Sequence, residues 1–298
     1  MNIVETHELA KSFAAQPVLH GIDLRVAPGT LYGFLGPNGA GKTTTLRILL
    51  GLLDRSGGTA RVLGCDPWRQ GARARTNIGY LPGDVRWYPR LTGRATLDFL
   101  AGVRQRDCRR TIHRLARRLE LDLNLPVRTY SRGMKQKLGI IQALMHEPAL
   151  LILDEPATSL DPLMQDVLHD ELRQAVAIGR TVLFSSHTLS EVQQLCDHVG
   201  ILRAGRLIEQ TTIDALRNRA LRRVEITFAA GAAGMASAPR GWHGEKRGDH
   251  WVGSFSGPMS ELLAWLAKQP VLDLVVTPPD LEDLFRAYYA TPDAGASA

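Results

Sequence analysis

Gly36-Pro-Asn-Gly-Ala-Gly-Lys-Thr43 is the stretch whose reading decides the fold. It fits G-x-x-x-x-G-K-[ST]. The apolar run Leu31–Leu35 precedes it, and a helical pattern follows to about Leu53. The loop therefore joins a strand to a helix, the context the motif requires. Gly36, Gly39 and Gly41, with Pro37, Asn38 and Ala40 between them, let backbone N–H groups turn inward around phosphate oxygens. The helix N-terminus adds about half a positive charge toward the same point. Lys42 is placed to reach the β- and γ-phosphates, the Thr43 hydroxyl to ligate Mg²⁺, and Thr44 to make a further phosphate contact. A Gly-rich turn that only caps a helix is the alternative, and it leaves Lys42 and Thr43 unexplained.

Outward from the loop, the apolar run Leu150–Leu153 ends in Asp154-Glu155, and Thr181–Ser185 is a second run of buried-strand type. Between them, residues 162–177 read as a helix. Ile78–Leu81 is another short apolar run, and residues 92–147 read as mainly helical with a break near Pro126–Ser131. Strands alternating with helices predict an α/β fold with a mainly parallel sheet covered on both faces. In such sheets ligands sit beyond the carboxyl ends of the strands. Asp154 is thus expected to hold Mg²⁺ opposite Thr43, and Glu155 to orient or deprotonate an attacking water. Residues 1–35 read as short strands, Ile22–Val26 among them by its alternation.

Three further segments complete a pattern: Tyr130-Ser-Arg-Gly-Met134 before a helix, Ser159-Leu-Asp161 after the acidic strand, and Ser185-Ser-His187 at the end of the next. With Gly36–Thr43 and Leu150–Glu155, their order and spacing resemble the ATP-binding subunits of ABC transporters over residues 1–220. Residues 130–134 stand at that family's LSGGQ-type signature. The resemblance implies a P-loop NTPase with an antiparallel β subdomain and a helical subdomain at about residues 85–147. It also implies ATP and Mg²⁺ as ligands. Phe13 stands where the family has an aromatic that stacks on adenine; a core position is the alternative. Ser131 and the Gly133 N–H would grip the γ-phosphate of ATP held by the other protomer; an N-cap is the other reading of Ser131. Asp161 would lie at the dimer seam, and His187 would contact the γ-phosphate and hold the attacking water. One chain carries one phosphate loop and one signature. The family logic therefore implies a homodimer, or a heterodimer with a similar ATPase, closed around two ATP molecules and working on a separate membrane permease from the cytoplasmic face.

The sequence departs from the family pattern in two places. In the run Tyr80-Leu-Pro-Gly83-Asp84, Gly83 or a neighbour stands where the family usually has a Gln that contacts Mg²⁺ and water, and Asp84 or a water is expected in its place. Arg132 and Met134 replace the usual second Gly and the Gln of the signature.

Composition limits the alternatives. The 298 residues are 44% hydrophobic and 22% charged, enough to bury a full core, which excludes general disorder. No apolar run approaches the ~18–20 residues that span a bilayer, and residues 1–13 lack the apolar stretch of a secretory signal. Cys65, Cys108 and Cys196 lie far apart, without the spacing of a disulfide framework or zinc site. The net charge of +6 is uneven, because residues 61–140 alone hold 18 basic against 6 acidic side chains. Nucleic acid is one reading of that surplus, but the family places this region against the permease and the lipid surface, and no direct nucleic-acid contact is expected. Arg109, Arg110, Arg117 and Arg118 are the positions expected to carry such a surface. A nucleotide switch acting on ribosomes or DNA, and a GTPase or small-molecule kinase, are the competing readings; one ATPase unit without a coiled-coil insertion disfavours the former, and the signature disfavours the latter.

The composition changes near residue 220. Residues 221–298 read as a small α+β accessory domain, with strands at Arg223–Phe228, Trp251–Phe255 and Leu272–Val276, a helix at Glu261–Lys268, and a loop over residues 230–244. A last helix is expected from Asp280 to about Tyr288. Thr277-Pro-Pro-Asp-Leu-Glu-Asp-Leu-Phe285 resembles the extension found in ATPases that serve ABC-2 type exporters, including drug-resistance and sodium-efflux systems.

Overall fold

The structure is a computed structural model that describes residues 2–14, 16–219, 222–229, 231 and 237–277. The chain divides into two compact units, Met1–Ile213 and Asp214–Ala298.

In the first unit, β1 (Val4–Phe13) pairs with β2 (Gln16–Ile22) and β3 (Arg25–Val26). β4 (Leu31–Leu35) leads through the glycine-rich loop into α1 (Lys42–Leu49), and β5 (Gly57–Val62) returns to β1, setting Val62 against Val4. Strands β1, β2, β3 and β5 make an antiparallel sheet. The alternation at Ile22–Val26 is not one strand. Thr6 Oγ1 donates to Ile22 O (2.6 Å) and accepts from Leu24 N (2.9 Å), while Asp23 accepts from Glu8 N (2.8 Å). Side chains thus take over where the ladder is broken, and the chain turns between β2 and β3.

After α2 (Gly71–Arg75) and β6 (Ile78–Leu81) come the helices α3 (Gly93–Val103), α4 (Arg109–Arg118) and α5 (Arg132–Leu144). Then follow β7 (Leu150–Asp154), α6 (Pro162–Ala177), β8 (Thr181–Ser186), α7 (Leu189–Leu195) and the hairpin of β9 (His198–Arg203) and β10 (Arg206–Thr212). The second sheet runs β10-β9-β4-β8-β7-β6, parallel from β9 to β6 with β10 antiparallel at the edge. Every residue of β4, β7 and β8 is buried, as expected for central strands covered on both faces. Their register sets Leu35 beside Ser186, and Asp154 beside Ser185. Three neighbouring strands therefore deliver the glycine-rich loop, Asp154-Glu155 and His187 to one edge of the sheet.

Helix α4 is tied to α6 by charge. Glu171, only 4% exposed, accepts from Arg114 Nη1 at 2.5 Å and Arg118 Nη1 at 2.6 Å. Arg118 also lies 3.6 Å from Asp170, and Arg109 pairs with Asp107 at 3.3 Å. Of the four arginines expected to form a basic surface, Arg118 is therefore committed to α6, and Arg110 and Arg117 are exposed. Replacing Arg114 and Arg118 by Met leaves a buried carboxylate without its partners. The expected loss is about 2 kcal/mol, below the ~3–5 kcal/mol of a fully buried pair because both guanidinia are partly exposed. Urea unfolding measures it, and an unchanged midpoint would contradict the tie.

His146, just beyond α5, is 3% exposed and donates through Nε2 to Ile78 O at 3.2 Å. Burial, with Arg104 and Arg106 adding to it, pushes its pKa from 6.5 down to about 4. The unfolded chain thus binds a proton that the folded chain resists. This contribution to stability is full above pH 6.5 and is lost as the pH falls toward 4. His146→Gln keeps a donor to Ile78 O and removes the titration. Its urea midpoint should drop less between pH 7 and pH 4.5 than the parent's; equal drops would count against the assignment.

In the second unit, after α8 (Ile213–Arg219), β11 (Arg222–Phe228), β12 (Trp242–Arg247), β13 (His250–Phe255), α9 (Met259–Leu266) and β14 (Val271–Thr277) follow, the strands in the order β12-β13-β11-β14. Val224, Ile226, Phe228, Trp251, Phe255 and Leu262 form its core. β12 enters the stretch expected to be loop. Its Gly244 sits opposite Gly253, and a Cβ on Gly244 would stand 2.3 Å from the Gly253 Cα. The glycine that reads as loop in the sequence is what lets these two strands approach. The helix expected at Asp280–Tyr288 lies outside the described residues.

Candidate functional site

The glycine-rich loop has the backbone its sequence demands. Gly39 and Gly41 take φ of +80° and +103°, and a Cβ on Gly36 would lie 2.4 Å from Leu202 O. Gly41 is the N-cap of α1, whose first turn carries no acidic residue to neutralise the positive helix end. Pro37, Asn38 and Gly39 are exposed at the tip, Ala40 is buried, and Thr44 is half-buried in the first turn. Lys42 is 5% exposed and donates through Nζ to Gly36 O at 2.6 Å and Pro37 O at 3.1 Å. Burial lowers its pKa, opposed by the nearby charges of Glu155 and Asp154.

Asp154 ends β7 with its side chain fully engaged. Oδ2 accepts from Thr43 Oγ1 at 2.7 Å, and Oδ1 accepts from Ser185 Oγ at 2.5 Å. Thr43 and Asp154 are hard oxygen donors side by side, 111 residues apart in the chain. That donor set fits Mg²⁺, which takes one or two protein oxygens and fills its octahedron with phosphate and water.

Glu155 sits next in the chain, with φ +49°. Its N–H donates to Ser185 O (3.2 Å) and Ser185 Oγ (3.0 Å), which pins an unusual main-chain conformation for a residue with a side chain. Around its carboxylate stand Lys42 Nζ at 3.7 Å, His187 Nδ1 at 3.3 Å and Thr158 Oγ1 at 3.5 Å. Gly36 N donates to Ser186 O at 3.2 Å, joining the loop to the strand that carries His187.

A second group gathers around the loop after Glu155. Ser131 caps α5 through a bond from Met134 N (3.2 Å), and Asp161 caps α6 through a bond from Met164 N (3.0 Å) ahead of Pro162. A Cβ on Gly133 would stand 2.8 Å from Ser159 O, and Gln136 Nε2 donates to Pro156 O at 2.9 Å. Helix α5 and the post-Glu155 loop therefore position each other. Phe13 is 47% exposed at the end of β1, with Lys11 Nζ 5.1 Å from its ring centre, so it is no core residue.

A family model described as ABC transporter matches residues 19–158. The bacitracin transport ATP-binding protein BcrA of Bacillus licheniformis is 37% identical over 224 residues, covering 73% of this chain and 72% of that protein. The chain belongs to the ATP-binding subunits of ABC transporters. The Nod factor export ATP-binding protein I of Paraburkholderia xenovorans is 36% identical over 218 residues, 72% of each chain. A solved ATP-binding subunit of an ABC transporter superposes with a TM-score of 0.68 at 30% identity, covering 73% of this chain and 92% of that one.

As an ATP-binding subunit the chain is an ATPase. A Cβ on Gly83 would lie 3.4 Å from Asp154 Oδ2, so a side chain at this position would face the acidic corner directly. Asp84 does not take over that place. Its side chain is 75% exposed and pairs with Arg86 at 3.0 Å. Water is the remaining candidate of the two expected from the sequence. Ser185, to which the sequence alone assigns no role, holds both neighbours: its hydroxyl donates to Asp154 Oδ1 and accepts from Glu155 N. A serine two residues before a strand-end histidine is a visible signal, but only the parallel register sets it beside Asp154.

Proposed function

We propose that two copies of this subunit close around two ATP molecules and, with a separate membrane permease, energise export. The single observation that carries the hydrolytic part is the joining of Thr43, Asp154, Glu155, Ser185 and His187 at one sheet edge by contacts of 2.5–3.3 Å.

In this reading Phe13 stacks on adenine. Loop N–H groups, Lys42 and Thr44 hold the phosphates. Mg²⁺, when bound by Thr43 and Asp154, neutralises charge on the phosphate oxygens. Glu155 accepts a proton from the attacking water, and His187 orients that water through the γ-phosphate side. Lys42 Nζ and His187 Nδ1, 3.7 Å and 3.3 Å from its two oxygens, hold the Glu155 carboxylate in place. Ser131 and Gly133 serve the γ-phosphate of the partner copy, and Asp161 lies at the seam. The γ-phosphate then provides contacts that exist only in the closed pair, so binding closes it and hydrolysis reopens it.

Export as the direction is supported by the relatives' names, which speak of bacitracin transport and Nod factor export. A separate permease is supported by the family to which the chain belongs; among the described residues no helix is long and apolar enough to cross a membrane. A cleft of about 330 Å³ supports a docking place beside Gly83. Tyr80, Pro82, Val85 and Trp87 line it, with Arg86 and Arg104. Tagged full-length chain, isolated from its own cell membranes, should carry a polytopic membrane protein with it. Recovery of the chain with no membrane partner would contradict the transport reading.

A further inference from the structure

We propose that His169 and Glu191 form a buried positioning pair that sets His187 for ATP hydrolysis, an inference that rests on the reading of His187 given above. A cleft of about 460 Å³ adjoins the hydrolytic corner, lined by Glu155, Gln165, His169, Ser186, His187 and Glu191. His169, on α6, is 5% exposed, and the Glu191 side chain, on α7, is 14% exposed. His169 Nε2 stands 3.9 Å from Glu191 Oε1. Both atoms are fully buried and neither has a hydrogen-bond partner. An unpaired carboxylate oxygen in such a place is costly. The imidazole is the ionisable partner facing it, and a small side-chain rotation closes the gap to a hydrogen bond.

The other Glu191 oxygen is already in use. Oε2 accepts from Ser186 Oγ at 2.5 Å, and Ser186 Oγ in turn accepts from Thr188 N at 2.9 Å. Ser186 and Thr188 flank His187 in the chain. An acid in the first turn of a helix ordinarily serves the helix's own N–H groups. Glu191 instead turns its carboxylate to the residue before His187 on one side and to His169 on the other. The order of contacts runs from α6 through His169, Glu191 and Ser186 to His187, whose Nδ1 is 3.3 Å from Glu155 Oε2. Asp161, placed at the dimer seam in the reading above, caps the start of helix α6, so the pair joins the seam helix to the water-orienting histidine. His169 and Glu191 touch no reacting atom and act by holding the segment that does.

The test is steady-state ATPase of the full chain with Mg²⁺. His169→Leu should lower kcat about tenfold and leave KM for ATP within about twofold, since a misplaced orienting group costs turnover and not binding. His169→Gln, which restores an N–H donor, should recover at least half of the lost rate. The double variant His169→Leu, Glu191→Leu should be no slower than Glu191→Leu alone. His169→Phe keeps the ring volume without its nitrogens and replaces His169→Leu in the comparison if that chain does not fold. Wild-type kcat in both His169→Leu and His169→Phe, a Gln variant as slow as these, or multiplying losses in the double variant would overturn the pair. His187→Ala separates the two levels: if it leaves turnover intact, the reading of His187 falls and the pair with it. If it abolishes turnover while the His169 variants do not affect kcat, the pair alone falls.

Discussion

Glu155→Gln chains should bind ATP as the parent does and hydrolyse it at least ~10²-fold more slowly, the low end of what a positioned base contributes. The geometry explains why the loss falls on the chemical step. Glu155 is a quarter exposed and points to Lys42 and His187, while its main chain is fixed to Ser185. An amide at this position keeps the shape and one of the two acceptor oxygens but accepts no proton from water. Nucleotide affinity, measured by equilibrium binding, should stay within about twofold, because ground-state contacts rest on other residues. Parent-like turnover would remove Glu155 from the mechanism.

Lys42→Ala should act on binding first. Its ammonium is buried, spans the loop to the Gly36 and Pro37 carbonyls, and lies 3.7 Å from Glu155 Oε1. A charge-assisted contact of this kind contributes about 1.5–3 kcal/mol, so ATP affinity should fall about 10- to 100-fold. The loop should keep its shape, since Gly36, Gly39 and Gly41 set it through backbone conformation. Isothermal titration with ATP separates this outcome from that of Glu155→Gln: one variant loses affinity, the other loses turnover. Unchanged affinity in Lys42→Ala would contradict the placement of phosphate at this loop.

The features legible in the sequence were those in which local pattern and chemistry coincide. The run Leu31–Leu35 before a glycine-rich loop, the run Leu150–Leu153 before two acids, and the helical pattern of residues 162–177 each state their structure within a short stretch. What stayed hidden depends on contacts across the chain. Ser185 meets Asp154 only because β7 and β8 run parallel in one register. Glu171 looks like an ordinary acid on a helical face until Arg114 and Arg118 converge on it. His169 is one of nine histidines, and nothing in its neighbours announces Glu191. The alternation at Ile22–Val26 misled because Thr6 and Asp23 supply the hydrogen bonds that a continuous strand would have made. The loop composition around Gly244 misled because a strand pair at close approach needs the same residue as a turn.

The division of labour between copies is the central claim: the phosphate loop of one chain works with Ser131 and Gly133 of another. Light scattering on a sizing column tests it most directly, using Glu155→Gln chain with Mg²⁺ and ATP. The expected mass is twice that of the 32.8 kDa chain, returning to the single-chain value when Ser131→Arg is added, with ATP binding retained. A single-chain mass in the presence of ATP, or a dimer indifferent to Ser131→Arg, would contradict it.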